Sequence, residues 1–237
     1  MHPTASASLR IAFALYSLVI ASLLVVAFAN AGPKNKRQIG LFALSISGWL
    51  ALSAVVGLSG ALTHWEKLPP PLVPLALLSM GSAVALSRSR FGARMAHGLP
   101  MSVLVGLQAF RFPLELLMHK AAAEGTMPVQ MTFGAPGCND DFLTGLSAMV
   151  VALLASNGKA SQQLLRMWND AGLLLLAAIV SVAVLSTPTF AAFGPDRLNT
   201  WVAYFPFVWL IAFFVPLALL GHLLLLRRLQ SKQRPLV

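Results

Sequence analysis

Three ionisable residues, Arg111, Glu115 and His119, stand four apart inside an otherwise apolar run, with Gln108 just before them. On a helix, residues four apart lie on one face about 6 Å apart along the axis, so the set forms a single stripe. Such a stripe must face protein or water, because a charge at mid-membrane costs about 2.5 to 3.5 kcal/mol even on the lenient insertion scale. One turn apart, Arg111 and Glu115 are expected to neutralise each other through a charge-assisted hydrogen bond. Pro113, between them, removes one backbone donor and frees the carbonyl of Ala109, which invites a kink and a new partner. Read as a site, the stripe lines an outward-opening cavity: Arg111 anchors an anion, Glu115 accepts a proton or serves as counter-ion, and His119 titrates near the surface. Read as structure, it is a buried ion pair that locks this helix to its neighbours.

The segment that follows, GTMPVQMTFGAPGCNDD at residues 125–141, is the longest loop in a chain of short ones. It is too apolar and too rich in Gly and Pro for a solvated linker, and is expected to be a lid or re-entrant segment lining a cavity. Its end, Asn139-Asp140-Asp141, suits the N-terminus of the next helix, where carboxylates complement the dipole. The candidate ligand-binding set is therefore Gln108, Arg111, Glu115, His119, Asn139 and Asp141.

The elements that must position these groups are membrane helices. The chain is 57% hydrophobic and only 10% charged, with a mean hydropathy of +0.77, far from the soluble range where about a quarter of residues are charged. Crossing a hydrocarbon core roughly 30 Å thick takes about 20 apolar helical residues. Apolar runs at 11–31, 38–63, 70–87, 99–123, 141–157, 166–188 and 200–226 predict an all-α bundle of seven spans, with residues 1–237 forming one transmembrane domain. The net charge of +10 would suggest nucleic acid in a soluble protein, but its placement points to topology, and no nucleic-acid partner is expected. Alternate loops place Lys34, Lys36, Arg37, Arg88, Arg90, Arg94, Lys159, Arg166, Arg227, Arg228, Lys232 and Arg234 on one side. Arg10, Lys67, Lys120 and Arg197 fall on the other, with the loop acids Glu66, Glu124, Asp140, Asp141 and Asp196. The basic side is cytoplasmic, so the N-terminus is outside, the C-terminus inside, and the chain sits in an inner membrane. Cleavage after Ala29-Asn30-Ala31 as a signal peptide would invert every later loop, so the first helix is expected to be retained.

Other polar residues carry blander readings. Asn169 and Asp170, with Arg166 a turn back, read as an interfacial cap with an ion pair, and His222 beside Gly221 as a hydrogen-bonded core histidine. Small-residue stripes at Ser53, Gly57 and Ala61, and at Thr144, Ala148, Ala152 and Ser156, read as helix packing. Pro206 and Pro216 divide the last span, while Trp201, Tyr204 and Trp209 suit an aromatic belt or cavity wall. Cys138 is the single cysteine, which excludes an internal disulfide.

The first functional expectation is a bundle that binds or transports a small polar or anionic solute through a cavity lined by the fourth span. The second is a membrane-embedded enzyme: Glu115 and His119 could share a metal with His64, Asp140 or Asp141, or His64 and His119 could hold haem. One histidine on the helix falls short of an H-E-x-x-H motif. The third is a receptor or scaffold without chemistry. A retinal protein is set aside because residues 200–226 lack the Schiff-base lysine.

The segments RFPLELLMHKAAAEGTMPVQMTFGAPGCNDDFLTG and YFPFVWLIAFFVPLALLGHLLLL resemble a group of uncharacterised bacterial seven-helix membrane proteins. Their pattern falls on Arg111, Glu115, Pro128, Gln130, Met131, Thr132, Phe133, Gly137, Asn139 and Asp141. Gly134 stands where that pattern has an acid. The resemblance implies a bacterial inner-membrane protein and brings no activity with it.

Overall fold

The computed structural model describes residues 4–32 and 35–231; the sequence-assigned cytoplasmic cations Lys34, Lys232 and Arg234 lie outside these. Among the described residues the architecture is all-α. The helices are α1 (Ala7–Asn30), α2 (Lys36–Leu58), α3 (Leu72–Arg88), α4 (Arg90–Gly98), α5 (Met101–Gly106), α6 (Arg111–Ala123), α7 (Phe142–Ser156), α8 (Gln162–Leu185) and α9 (Val215–Ser231). Several start where a short polar side chain accepts a free backbone N–H of the first turn: Ser6 from Leu9, Asn35 from Gln38, Ser89 from Gly92 and Ser161 from Leu164.

Five helical stretches are long and apolar enough to cross a membrane: Ala7–Asn30, Lys36–Leu58, Met101–Ala123, Gln162–Leu185 and Leu210–Ser231. The pair α3 and α4, bent by 66°, makes a sixth if it is one span. Leucines and valines such as Leu15, Leu44, Val55, Leu77 and Leu174 stay exposed on these helices, the signature of a multi-pass membrane protein whose outer faces meet lipid. At the Ser89 bend and at the C-terminal end of α4, side chains of α9 donate to backbone carbonyls. Arg227 donates to Ser87 O and Ser89 O, and Arg228 to Ala96 O and His97 O.

The stretch Met101–Ala123 is one span built from α5, a 3-10 turn (Leu107–Phe110) and α6. The change of helical type falls just before Pro113, and the Tyr16 hydroxyl of α1 donates to the carbonyl of Phe110. The carbonyl that Pro113 frees is that of Ala109, not Phe110; the direct exchange occurs at Pro216. Lacking an N–H, it leaves the Ala212 carbonyl free at i−4, and the Trp49 indole N–H fills that position at 2.8 Å. A π-helical turn, Leu210–Phe214, absorbs the irregularity.

The sequence expectation of a helix over 200–226 is corrected at its start. Residues 200–209 hold a 3-10 turn at Trp201–Ala203 and an extended Tyr204, and the membrane-length helical stretch begins at Leu210 with the π-helical turn. Pro206 is the reason: it cannot donate to the ladder, and it disfavours α geometry at Phe205. Trp201 and Phe207 instead pack edge-on against Phe13 of α1.

α7 is short, with 15 residues, about 22 Å at 1.5 Å per residue. Its Gly145 lies against the backbone of Phe112 and the Cβ of Arg111, and Gly106 of α5 faces Ala152. α7 therefore runs beside α5 and starts level with the middle of the Met101–Ala123 span. To reach that start from Ala123, residues 124–141 descend along α6 by roughly 12 Å, the rise of about eight helical residues. Phe133 marks the descent, stacking on His119 on one side and touching Phe142 on the other. Backbone polar groups of this descent are paired internally: Cys138 N–H donates to Gln130 O, and Asn139 N–H to Thr132 O. The Gln130 amide ties the segment to Ser186 Oγ and the Arg197 carbonyl. That satisfaction is what irregular chain at membrane depth requires.

Candidate functional site

Arg111 is 2% exposed and Glu115 5%, so both charges of the stripe are withdrawn from solvent. Their pairing differs from the sequence expectation. The Arg111 guanidinium is ion-paired with Asp141, the residue that opens α7, at Nη2–Oδ2 2.5 Å; among the described residues Glu115 makes no ion pair with it. The physical reason is the descent of residues 124–141, which delivers Asp141 to Arg111 from an adjacent element, while Glu115 lies one turn along the same helix. Asp141 is consequently not the side-chain cap anticipated for α7. Asn139 performs the local turn, its Oδ1 accepting the Asp141 N–H while its amide donates to Met131 O.

A second partner comes from α9. Arg111 Nη1 lies 3.0 Å from His222 Nε2, and His222 Nδ1 lies 3.0 Å from Asn169 Oδ1 of α8. Arginine only donates, so Nε2 is the acceptor and the imidazole is neutral with its proton on Nδ1, donated to Asn169. His222 and Asn169 are fully buried. The result is a polar chain Asn169–His222–Arg111–Asp141 that joins α8, α9, α6 and the start of α7. Glycines make room for it. A methyl group at Gly172 would overlap the His222 ring, and one at Gly221 would overlap the Gln108 amide. Gln108 itself is buried and donates to the Ala218 carbonyl of α9.

Glu115 stands apart from this chain. The Asn139 side chain neighbours its carboxyl, but Oε2 is buried without a hydrogen-bond partner. Glu115, Arg111 and Asp141 form the polar end of a cavity of about 420 Å³. Its walls are otherwise mostly apolar, with Leu72, Leu114, Leu176, Val180 and Phe214 among them and Thr187, Thr189 and Asn199 as further polar members. Toward the other end it meets Trp65 and Pro69 of the α2–α3 connection and Thr187 and Phe190 after α8, the same end of the bundle as Ser6 and Glu124.

Of the sequence-predicted residues, Arg111, Glu115, Asn139 and Asp141 come together; Gln108 lies one turn before Arg111, bonded to Ala218 of α9 and outside the cavity lining, and His119 does not join them. It is exposed and stacked on Phe133. The alternative metal set is not assembled either. His64 is exposed and paired with Glu66, Asp140 is exposed, and among the described residues no group of three or more His, Cys, Asp or Glu is placed to hold a metal. His64 and His119, the pair expected to hold haem, lie beside Glu66 and Phe133 respectively. The sequence alone does not mark His222 and Asn169 as members of the site. Each reads as an isolated polar residue, because its partners lie 111 and 53 positions away.

Residues 71–230 match the family model described as "Domain of unknown function (DUF8737)". The chain belongs to this family. The matched region of DUF8737 runs from α3 through α9 and so contains the whole polar chain, Glu115, and the descending segment. No curated protein and no solved structure matches the chain.

Proposed function

We propose that this DUF8737 protein binds, and passes across the membrane, a small amphipathic molecule that enters the cavity between α3, α6, α8 and α9. One observation carries the reading: Glu115, whose carboxyl oxygen Oε2 is buried without a partner, is among the residues that line a mostly apolar cavity. A buried polar atom left without a partner costs about 1 to 3 kcal/mol, a cost that a ligand's donor would relieve. Apolar walls with few converging polar groups are the usual make-up of a small-molecule site. The reading revises the expected role of Arg111. With Asp141 and His222 on its two terminal nitrogens, it positions the site and is not a free anion anchor.

The proposal includes topology. Seven crossings, with the N-terminus outside a bacterial inner membrane, follow if the α3–α4 pair is one bent span and residues 124–141 plus α7 form another. The charge asymmetry supports this, as does the internally satisfied descent. The cavity then opens outward. Reporter fusions after Lys36, Arg90 and Lys232 should all report cytoplasm; any one reporting periplasm would reverse the orientation.

Three probes with one apolar body test the binding: 2-phenylethylammonium, 2-phenylethanol and phenylacetate. A ligand that binds only the native state raises thermal stability by RT ln(1 + [L]/Kd). At least one probe should raise the Tm of the wild-type protein in detergent and leave that of a cavity-filled Val180→Trp variant unchanged. If none does, the cavity is not a site for molecules of this kind.

A further inference from the structure

We infer that the cavity takes an organic cation, and that its ammonium head replaces a proton held by Glu115. The inference rests on the binding reading above and names its ligand class and its coupling.

Charge balance selects the ligand class. Among the described residues, the ionisable groups that act on Glu115 are Arg111 on its own helix and Asp141 at the start of α7, and His222 of α9 adjoins Arg111. His222 is neutral, because its Nε2 accepts from Arg111 and its Nδ1 donates to Asn169. Arg111 is permanently charged and is matched by Asp141. This leaves Glu115. As a carboxylate it would place an uncompensated charge at a buried position beside a mostly apolar cavity, which proteins avoid by neutralising the group. The closed site therefore balances with Glu115 as the acid. It balances equally with Glu115 ionised and one monovalent cation beside it, and it has no second arrangement for an anion, which would add to Asp141.

In the exchange, the Glu115 O–H bond breaks, the proton leaves through the cavity mouth to water, and a ligand N–H of R–NH3+ donates to the vacated carboxylate. One positive charge enters and one leaves. No redox partner is required. The apolar walls demand that R be hydrophobic, and the partnerless Oε2 demands a head that donates. His119, exposed beside Phe133, has no part in this balance.

Calorimetry on the full-length protein in nanodiscs, run with 2-phenylethylammonium in buffers of different ionisation enthalpy, counts the protons released. Wild type should release about one proton per ligand, with affinity rising up to tenfold per pH unit while Glu115 is protonated in the free protein. Glu115→Gln should bind more weakly with no proton release, and His119→Gln should match wild type. The wild-type proton count decides the matter even if Glu115→Gln fails to fold. Binding of the ammonium without proton release overturns the exchange, as does preferential binding of phenylacetate or 2-phenylethanol, and in each case the cavity remains a binding site. Absence of binding by all three probes overturns the binding reading itself, and the exchange with it.

Discussion

Arg111 is paired with Asp141, which reaches it by way of the descending segment, and not with Glu115, the acid one turn along its own helix. This relationship sorts the two buried acids into different roles. Asp141 completes a charge-balanced network, and Glu115 is left facing the cavity.

Breaking a buried pair by removing one partner costs about 3 to 5 kcal/mol, whereas replacing both by apolar groups is often neutral or better. Arg111→Met and Asp141→Leu should each lower the Tm in detergent markedly, and the double variant should recover much of the loss. Arg111→Met combined with Glu115→Leu should recover little, because Asp141 stays unpaired. A recovery in that second double variant equal to the first would mean that Glu115 is the true partner.

His222 links Arg111 to Asn169 by two hydrogen bonds. Removing one partner of a buried bond costs about 1 to 3 kcal/mol, so Asn169→Leu should destabilise by that order in thermal melts. Gly172→Ala should do so as well, by pressing a methyl group into the His222 ring, since overpacking costs about 1 to 3 kcal/mol. A Gly172→Ala protein as stable as wild type would contradict this placement of His222.

At the same end of the bundle as the cavity mouth, the Glu124 carboxylate accepts from the backbone N–H and the hydroxyl of Ser6 at 2.8 Å each. The backbone bond first, then the hydroxyl, holds its pKa below the ordinary 4.5. A depressed carboxyl contributes fully above its unfolded pKa and loses that contribution as pH falls through the folded value. Hydrogen exchange of the Ser6 amide should therefore be protected at neutral pH and should lose that protection below about pH 4.5. Glu124→Gln should show weak protection throughout and no such transition.

Much of the fold is legible in the sequence because apolar runs of about 20 residues have few options in a bilayer. Where sequence and structure part, a proline or a distant partner intervenes. Residues 200–209 have the hydropathy of a span, yet Pro206 keeps them from regular helix. Gln108, Arg111, Glu115, Asn139 and Asp141 can be picked out because charge and amide groups are conspicuous in an apolar chain, and because the loop's composition marks it as enclosed. Their pairing cannot. Spacing along one helix favours Glu115 as the partner of Arg111, and only the path of the loop replaces it with Asp141. His119 shares the spacing of the stripe but sits near the helix end, where the face turns outward to Phe133.

A cavity that opens from the outer side and ends at an acidic centre can be tested for access and sign in one labelling experiment. In a Cys138→Ser background, which removes the lone native thiol, Val180→Cys places a reporter on the cavity wall. Membrane-impermeant thiosulfonates of opposite charge are then added to the outside of intact cells. The cationic reagent should label the introduced thiol faster than the anionic one, 2-phenylethylammonium should slow the labelling, and Glu115→Gln should narrow the difference between reagents. Labelling only from the cytoplasmic side, or faster labelling by the anionic reagent, would contradict an outward-opening site for cations.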